Sequence, residues 1–178
     1  MAAVNEAMAE LLSPLTESRR AHSIAVGRRM ESVAELLPSE LRADAVTAAY
    51  LHDVGYGHPD LGFHPIDGAR LLHSLGYSRL VCHMVAFHTA AEIEAGVRGL
   101  DAGVFDEFRV TGVAGLDKAD DFLWWADLST GPNGEGFTVD QRLAEILKRY
   151  EPGSVVHTAI TKAGPRLRAA AQRASGSM

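Results

Sequence analysis

The chain has 178 residues, 47% of them hydrophobic, so we expect a single globular domain over residues 1–178 with a sizeable core. The sequence contains no run of about 18 apolar residues, so we expect no membrane span. Its first residues lack the basic and apolar regions of a signal peptide. The net charge of −6 argues against a protein that coats nucleic acid, and the single cysteine suits a reducing, cytoplasmic environment.

Helical signals dominate the sequence and predict an all-α domain. The first strong signal runs from Thr16 to Leu37, because Pro38 cannot continue the helix. A second helix is predicted from Ser39, as N-cap, to about Asp53. The further helices are predicted, in chain order, at HPIDGARLLHSLG with Gly76 as its end, at Ser78–Ala95, Leu116–Leu128, Val139–Tyr150 and Val155–Ala174. Residues 96–115 are predicted to be a Gly-containing connection and residues 129–137 a loop.

The placement of histidine is the one unusual feature of the composition. Of eight histidines, six lie within residues 52–88, namely His52, His58, His64, His73, His83 and His88. Clusters of this kind suggest metal or catalytic chemistry.

One face of the first predicted helix combines apolar residues with Arg19 and His22. The apolar members recur at spacings of three and four, and they are Leu15, Val26, Met30, Val33 and Leu37. A buried Arg is costly unless it is paired or meets an anion, so this face predicts an occupied polar site. His22 as an ordinary core histidine remains the alternative.

The segment GLDKADDFLWWADL raises a similar question about two carboxylates. Asp120 and Asp127 fall on one helical stripe with Val113, Leu116 and Trp124. Either these carboxylates lie on a packed face, or the stripe is misphased and they are solvated.

Together, His22, His52, Asp53 and Asp127 offer two imidazoles and two carboxylates from three helices. A helical bundle can hold a metal ion with such a set. Nitrogen and oxygen donors without a thiolate suit Mn, Fe, Co, Ni, Zn or Mg and disfavour a closed structural zinc site. The adjacent His52 and Asp53 can reach one ion if the helix ends there, before Gly55. The alternative is a core His52 beside a solvated Asp53.

The order His22, then His52-Asp53 within AAYLHDVG, then Asp127 resembles the H…HD…D signature of the HD-domain superfamily of metal-dependent phosphohydrolases. HPIDGARLL with His64 and VAFHT with His88 resemble further parts of such proteins, and the resemblance covers about residues 16–150. It implies a helical bundle of the HD-domain type and a divalent metal ion. It also implies hydrolysis of a phosphate ester or anhydride, often of a nucleotide, by attack of metal-bound water.

The departures from this pattern shape the expected roles. Many catalytic members carry a Lys shortly after the HD-x-G motif, where this chain has Tyr56 and Gly57. A phosphate would then be bound by Arg19, Arg20 or Lys118.

Asp53, His64 and His88 are the expected catalytic residues. His64 and His88 either hold a second metal with a bridging Asp53, or contact the substrate phosphate, or act as a general acid. The ADLSTG context favours Asp127 as the last metal ligand, with Asp120 as the alternative.

The expected partner is a small phosphorylated substrate, with no nucleic acid and no membrane, and homo-oligomer formation is left open. Two other functions are alternatives. One is a non-catalytic metal- or nucleotide-binding regulatory module, which the missing Lys favours. The other is a di-iron oxygenase, which requires two irons.

Overall fold

A computed structural model describes residues 6–178, and within them the chain forms nine α-helices joined by short connections. The helices are α1 Glu6–Leu12, α2 Glu17–Val33, α3 Ser39–Leu51, α4 His64–Ser74, α5 Arg79–Phe87, α6 Ala91–Arg98, α7 Leu116–Leu128, α8 Val139–Arg149 and α9 Val155–Ser175. Shorter 3₁₀ segments occupy Ala34–Leu36, Val54–Tyr56, His88–Ala90 and Ala102–Phe108. The predicted all-α class is confirmed. The expectation that residues 1–5 belong to the same domain lies outside the described residues.

The predicted helix starts are mostly explained by local capping. The Thr16 side chain accepts a hydrogen bond from the Arg19 amide at the start of α2, and Thr138 and Gln141 form a capping box at α8. Ser39 was predicted as the N-cap of α3, but the N-cap is Pro38 and Ser39 is the first helical residue. Its hydroxyl bonds the neighbouring Glu40 side chain instead, at 3.1 Å.

The prediction of one continuous helix over Ser78–Ala95 is wrong, because a turn interrupts the helix near its centre. Helix α5 ends at Phe87, and Thr89 and Ala90 adopt left-handed backbone angles with φ of 50° and 57°. Such angles are costly for residues other than glycine. The helix then restarts as α6, so His88 and Thr89 lie in a sharp turn.

The core lies among α2, α3, α5 and α7, and α9 packs across α6, α7 and α8. Its largest fully buried side chains include Met30, Leu51, Phe122 and Leu123. Burial of such side chains contributes about 1.5–3 kcal/mol each and holds the helix ends around one polar region. Within the described part of the chain, no helix is both long and apolar enough to cross a membrane.

Candidate metal centre and cleft

Six histidine and aspartate side chains converge where helix ends meet. His22 lies within α2, His52 and Asp53 follow α3, His64 begins α4, His88 follows α5 and Asp127 lies in the last turn of α7. His22, His52, Asp53 and His88 are each less than 5% exposed, although all are polar. Buried polar groups of this kind need partners or an ion.

The first cluster consists of His22, His52 and Asp53, whose ligand atoms all lie within 4.8 Å of one another. Asp127 adjoins it: its Oδ1 lies 3.0 Å from His22 Nε2 and 3.9 Å from His52 Nε2. The structure therefore brings together all four side chains that the sequence nominated as metal ligands.

The second cluster consists of Asp53, His64 and His88, with ligand atoms again within 4.8 Å of one another. Asp53 Oδ1 lies 3.5 Å from His64 Nε2 and 3.9 Å from His88 Nε2. Its other oxygen, Oδ2, lies 3.4 Å from His52 Nε2 in the first cluster. Asp53 is thus placed to bridge two sites.

Backbone carbonyls fix the orientation of three of the imidazoles. The Nδ1 atoms of His22, His52 and His88 lie 2.6–3.0 Å from the carbonyl oxygens of Gly131, Ala49 and Val85 respectively. A carbonyl can only accept, so each Nδ1 carries the proton and donates it. In the neutral ring the lone pair is then on Nε2, the atom that faces the carboxylates. This arrangement is the usual one for histidines that bind metals.

The donor set fits a divalent cation. His52 Nε2 is fully buried and has no hydrogen-bond partner within residues 6–178. The Nε2 atoms of His64 and His88 lie 3.2 Å apart, so two acceptor lone pairs would meet there unless a proton or a cation lies between them. Nitrogen and oxygen donors suit the first-row divalent ions and Mg²⁺.

The adjacent His52-Asp53 pair reaches this point because the helix ends. Leu51 is the last residue of α3, and Asp53 has left the helical conformation with φ of −98° and ψ of 6°. Behind it, Gly55 packs against the start of α4, where an added Cβ would overlap the carbonyl oxygen of His64. The contact between Gly55 and α4 places His64 beside Asp53.

The cluster's charges perturb its pKa values. Burial raises the pKa of Asp53, but the positive charges of His52 and Arg19 outweigh it and hold that pKa well below its usual value. Burial lowers the pKa of His52, but the Asp53 carboxylate outweighs it and raises the pKa to about 9. Without metal, a proton on His52 thus supplies the positive charge that a bound cation would otherwise provide.

His64 and His88 behave in the opposite way. Burial lowers the pKa of both imidazoles, and the neighbouring His88 and His52, respectively, lower it further. Both rings are therefore neutral near pH 7, as metal ligands must be.

Arg19 and Tyr56 flank the second cluster. Arg19 Nη1 donates to Asp53 Oδ2 at 2.7 Å, and its guanidinium lies 4.3 Å from the centre of the Tyr56 ring. The His64 ring is stacked on the same Tyr56 side chain, with ring centroids 3.9 Å apart. Tyr56, which the sequence marked only as a departure from the family pattern, thus orients a cation and an imidazole.

The turn at Thr89 also serves the site. The Thr89 hydroxyl donates to Asp127 Oδ2 at 2.5 Å, while Asp127 Oδ1 faces His22. Asp120, the alternative ligand, lies 3.4 Å from His83 Nε2 and contacts neither cluster. The backbone strain at Thr89 is therefore coupled to the placement of Asp127.

A cleft of about 100 Å³ lies over the two clusters. Among its lining residues are Arg19, Asp53, His64, His88 and Asp127. A larger cavity, about 640 Å³, lies between α1 and residues 75–77, but no member of either cluster lines it.

Two of the three expected phosphate-binding cations are not among the described residues that line the cleft. Arg20 is half-buried elsewhere on α2, and Lys118 donates to the Leu36 carbonyl oxygen at 2.9 Å near the opposite end of α7. Arg19 alone of the predicted set is positioned to contact a ligand.

The cleft also contains residues that the sequence did not nominate. Arg142, Ile146 and Arg149 from α8, with Tyr150 directly after it, are among its lining residues. The sequence does contain a pattern that could have indicated them, because positions 142, 146 and 149 share one helical face that mixes basic and apolar residues. The role of that face was not apparent without the position of α8 over the cluster.

A sequence model of the HD domain matches residues 19–151, most of the chain, so the protein belongs to the HD domain family. Proteins of this family are generally metal-dependent phosphohydrolases. Searches of curated proteins and of solved structures returned no significant match.

Proposed function

We propose that the protein is a metal-dependent phosphohydrolase that acts on a phosphate ester or anhydride, either a nucleotide or another small phosphorylated metabolite. One observation carries the proposal: two clusters of nitrogen and oxygen donors share Asp53 at the base of a cleft. His22, His52, Asp53 and Asp127 would hold one ion, and Asp53, His64 and His88 a second. Ions bound there would lower the pKa of water and neutralise charge on phosphoryl oxygens.

Arg19 is the protein group best placed to bind the phosphoryl group. Only its Nη1 is used by Asp53, and its side chain is 28% exposed at the cleft, so the rest of the guanidinium fork is open to phosphate oxygens. It supplies the cation that the missing Lys would have provided. The missing Lys therefore no longer favours a purely regulatory module.

The lowered pKa values of His64 and His88 bear on their roles. A general acid must carry a proton at the working pH, whereas a metal ligand must be neutral. Their neutral state supports the role of ligands to a second ion over that of a general acid.

The proposal is tested by phosphate release from p-nitrophenyl phosphate and a panel of nucleotides, with the metal content of the same samples determined by elemental analysis. We expect turnover that Asp53→Ala lowers by at least about a hundredfold, with loss of bound metal. His73→Ala is the matched control, because His73 is exposed on α4 and lies outside both clusters. Absence of turnover across the panel at full metal occupancy would overturn the proposal.

The second cluster specifically favours one alternative, a di-iron oxygenase, since that chemistry needs two ions joined by a shared ligand. Two irons per chain and consumption of O₂ would support it. One ion per chain would eliminate it.

A further inference from the structure

Helix α8 contributes a basic side to the cleft that the hydrolytic chemistry does not use. Arg142 and Arg149 line the cleft together with Ile146 and Tyr150, and none of these four residues belongs to the metal clusters. Arg142 is 6% exposed, which is unusual for a guanidinium.

The two guanidiniums share a single carboxylate. Glu145 Oε2 accepts from Arg142 Nη1 at 2.6 Å and from Arg149 Nη2 at 3.0 Å. Its Oε1 lies 3.0 Å from Arg149 Nε. Two positive charges facing one negative charge leave one positive charge in excess on this side of the cleft.

The other carboxylate near this side is already neutralised. Glu94 lines the cleft, but it accepts two hydrogen bonds from Arg98, at 2.6 and 2.8 Å. Arg142 Nε is buried and has no hydrogen-bond partner in the described part of the chain. A buried guanidinium with an incomplete set of partners is costly unless an anion joins it.

The cleft also has an apolar lining. Ile146, Val156 and Ile160 line it alongside the charged groups. Its volume of about 100 Å³ is small beside the roughly 300–1,000 Å³ of pockets that enclose drug-sized ligands. A ligand that spans it is therefore compact, unless it projects out of the cleft.

We infer that Arg142 and Arg149 form a second anion subsite, so that the preferred substrate carries two anionic groups on a short carbon body. The phosphoryl group to be hydrolysed lies at the metal clusters, and a second phosphate or carboxylate binds the two arginines. The apolar side chains that line the cleft contact the connecting carbons. This inference rests on the proposed function and specifies the substrate class of that site.

Binding of stable analogues tests the subsite without requiring turnover. Calorimetry of the purified protein, with its metal content determined, would compare ethane-, propane- and butane-diphosphonate with the corresponding alkylphosphonates, which carry one anionic group. We expect one diphosphonate to bind at least about tenfold tighter than its partner, because charge-assisted hydrogen bonds to two arginines are gained. A phosphonocarboxylate of the same length tests the second group: equal or tighter binding shows that the subsite accepts a carboxylate, and weaker binding indicates a phosphate.

Arg149→Ala is the decisive variant, because Arg149 is exposed enough to be replaced without disrupting the core. We expect it to reduce the ratio of the two affinities to about threefold or less, whereas Lys148→Ala, on the exposed face of the same helix, leaves the ratio unchanged. A wild-type ratio near one at every length, or a ratio that Arg149→Ala does not alter, would overturn the subsite. Failure of the proposed function would appear separately, as absence of phosphate release while the binding ratio persists.

Discussion

Replacing Gly55 with alanine should disrupt the site through the backbone alone. An added Cβ would overlap the carbonyl oxygen of His64 and lie 2.6 Å from the amide nitrogen of Gly68, whereas ordinary Cβ contacts begin at 3.4 Å. The Gly68 contact alone therefore requires a movement of about 0.8 Å (3.4 − 2.6), and both obstructing atoms belong to the backbone of α4. Overpacking typically costs about 1–3 kcal/mol, and rigid backbone neighbours place this substitution near 2–3 kcal/mol.

Scanning calorimetry and elemental analysis measure the two consequences. For a chain of this size about 2–3 kcal/mol corresponds to a Tm about 4–12 °C lower, and the displacement of His64 from Asp53 should reduce bound metal. Gly96→Ala is the matched control: Gly96 lies inside α6 with no atom near an added Cβ. There the same change should stabilise by about 0.5–1 kcal/mol, because alanine favours a helix. A Gly55→Ala protein with wild-type Tm and metal content would refute the packing explanation.

Three further outcomes are expected. Tyr56→Phe should keep kcat/KM within about twofold, whereas Tyr56→Leu should lower it about two- to fivefold, because it removes the ring that contacts both Arg19 and His64. Equal values for the two variants would contradict a stacking role. Burial raises the pKa of the Cys82 thiol to about 11, so only about 0.1% of it would be thiolate at pH 8. A disulfide reagent should therefore label Cys82 only as urea unfolds the protein, and rapid labelling of the folded protein would show that the thiol is not buried. Chelation should lower the Tm by about 5–11 °C if the ion is present at a hundred times its Kd, and an unchanged Tm in a sample known to have held metal would show that the ion does not link the helices.

Much of the fold was predictable because the helix boundaries are encoded locally. The predicted helices at Leu116–Leu128 and Val155–Ala174 agree with α7 and α9 to within one residue at each end. The break after Phe87 was not predictable, since VAFHTAAEIEA has neither Gly nor Pro and reads as continuous helix. There the tertiary requirement for a turn at the site overrides local preference.

The candidate site was predictable where the chain carries a motif. His22, His52, Asp53 and Asp127 were nominated from helical phase and from the family pattern, and the structure brings them together; whether they bind metal stays a prediction. Of the six clustered histidines, only His52, His64 and His88 join the centre. Sequence spacing could not distinguish His83 from these three histidines, but in the structure its Nε2 faces Asp120 in a different part of the bundle.

The left-handed turn at residues 89 and 90 imposes unequal constraints on its two positions. Glycine at position 90 would relieve backbone strain and remove no polar contact, but it would also remove a buried methyl group from the core. At position 89 glycine or asparagine would suit the backbone better than threonine does, but either would lose the Thr89 hydroxyl that donates to Asp127. Selection that demands activity should therefore retain threonine at position 89, whereas backbone strain and core packing alone decide the residue at position 90.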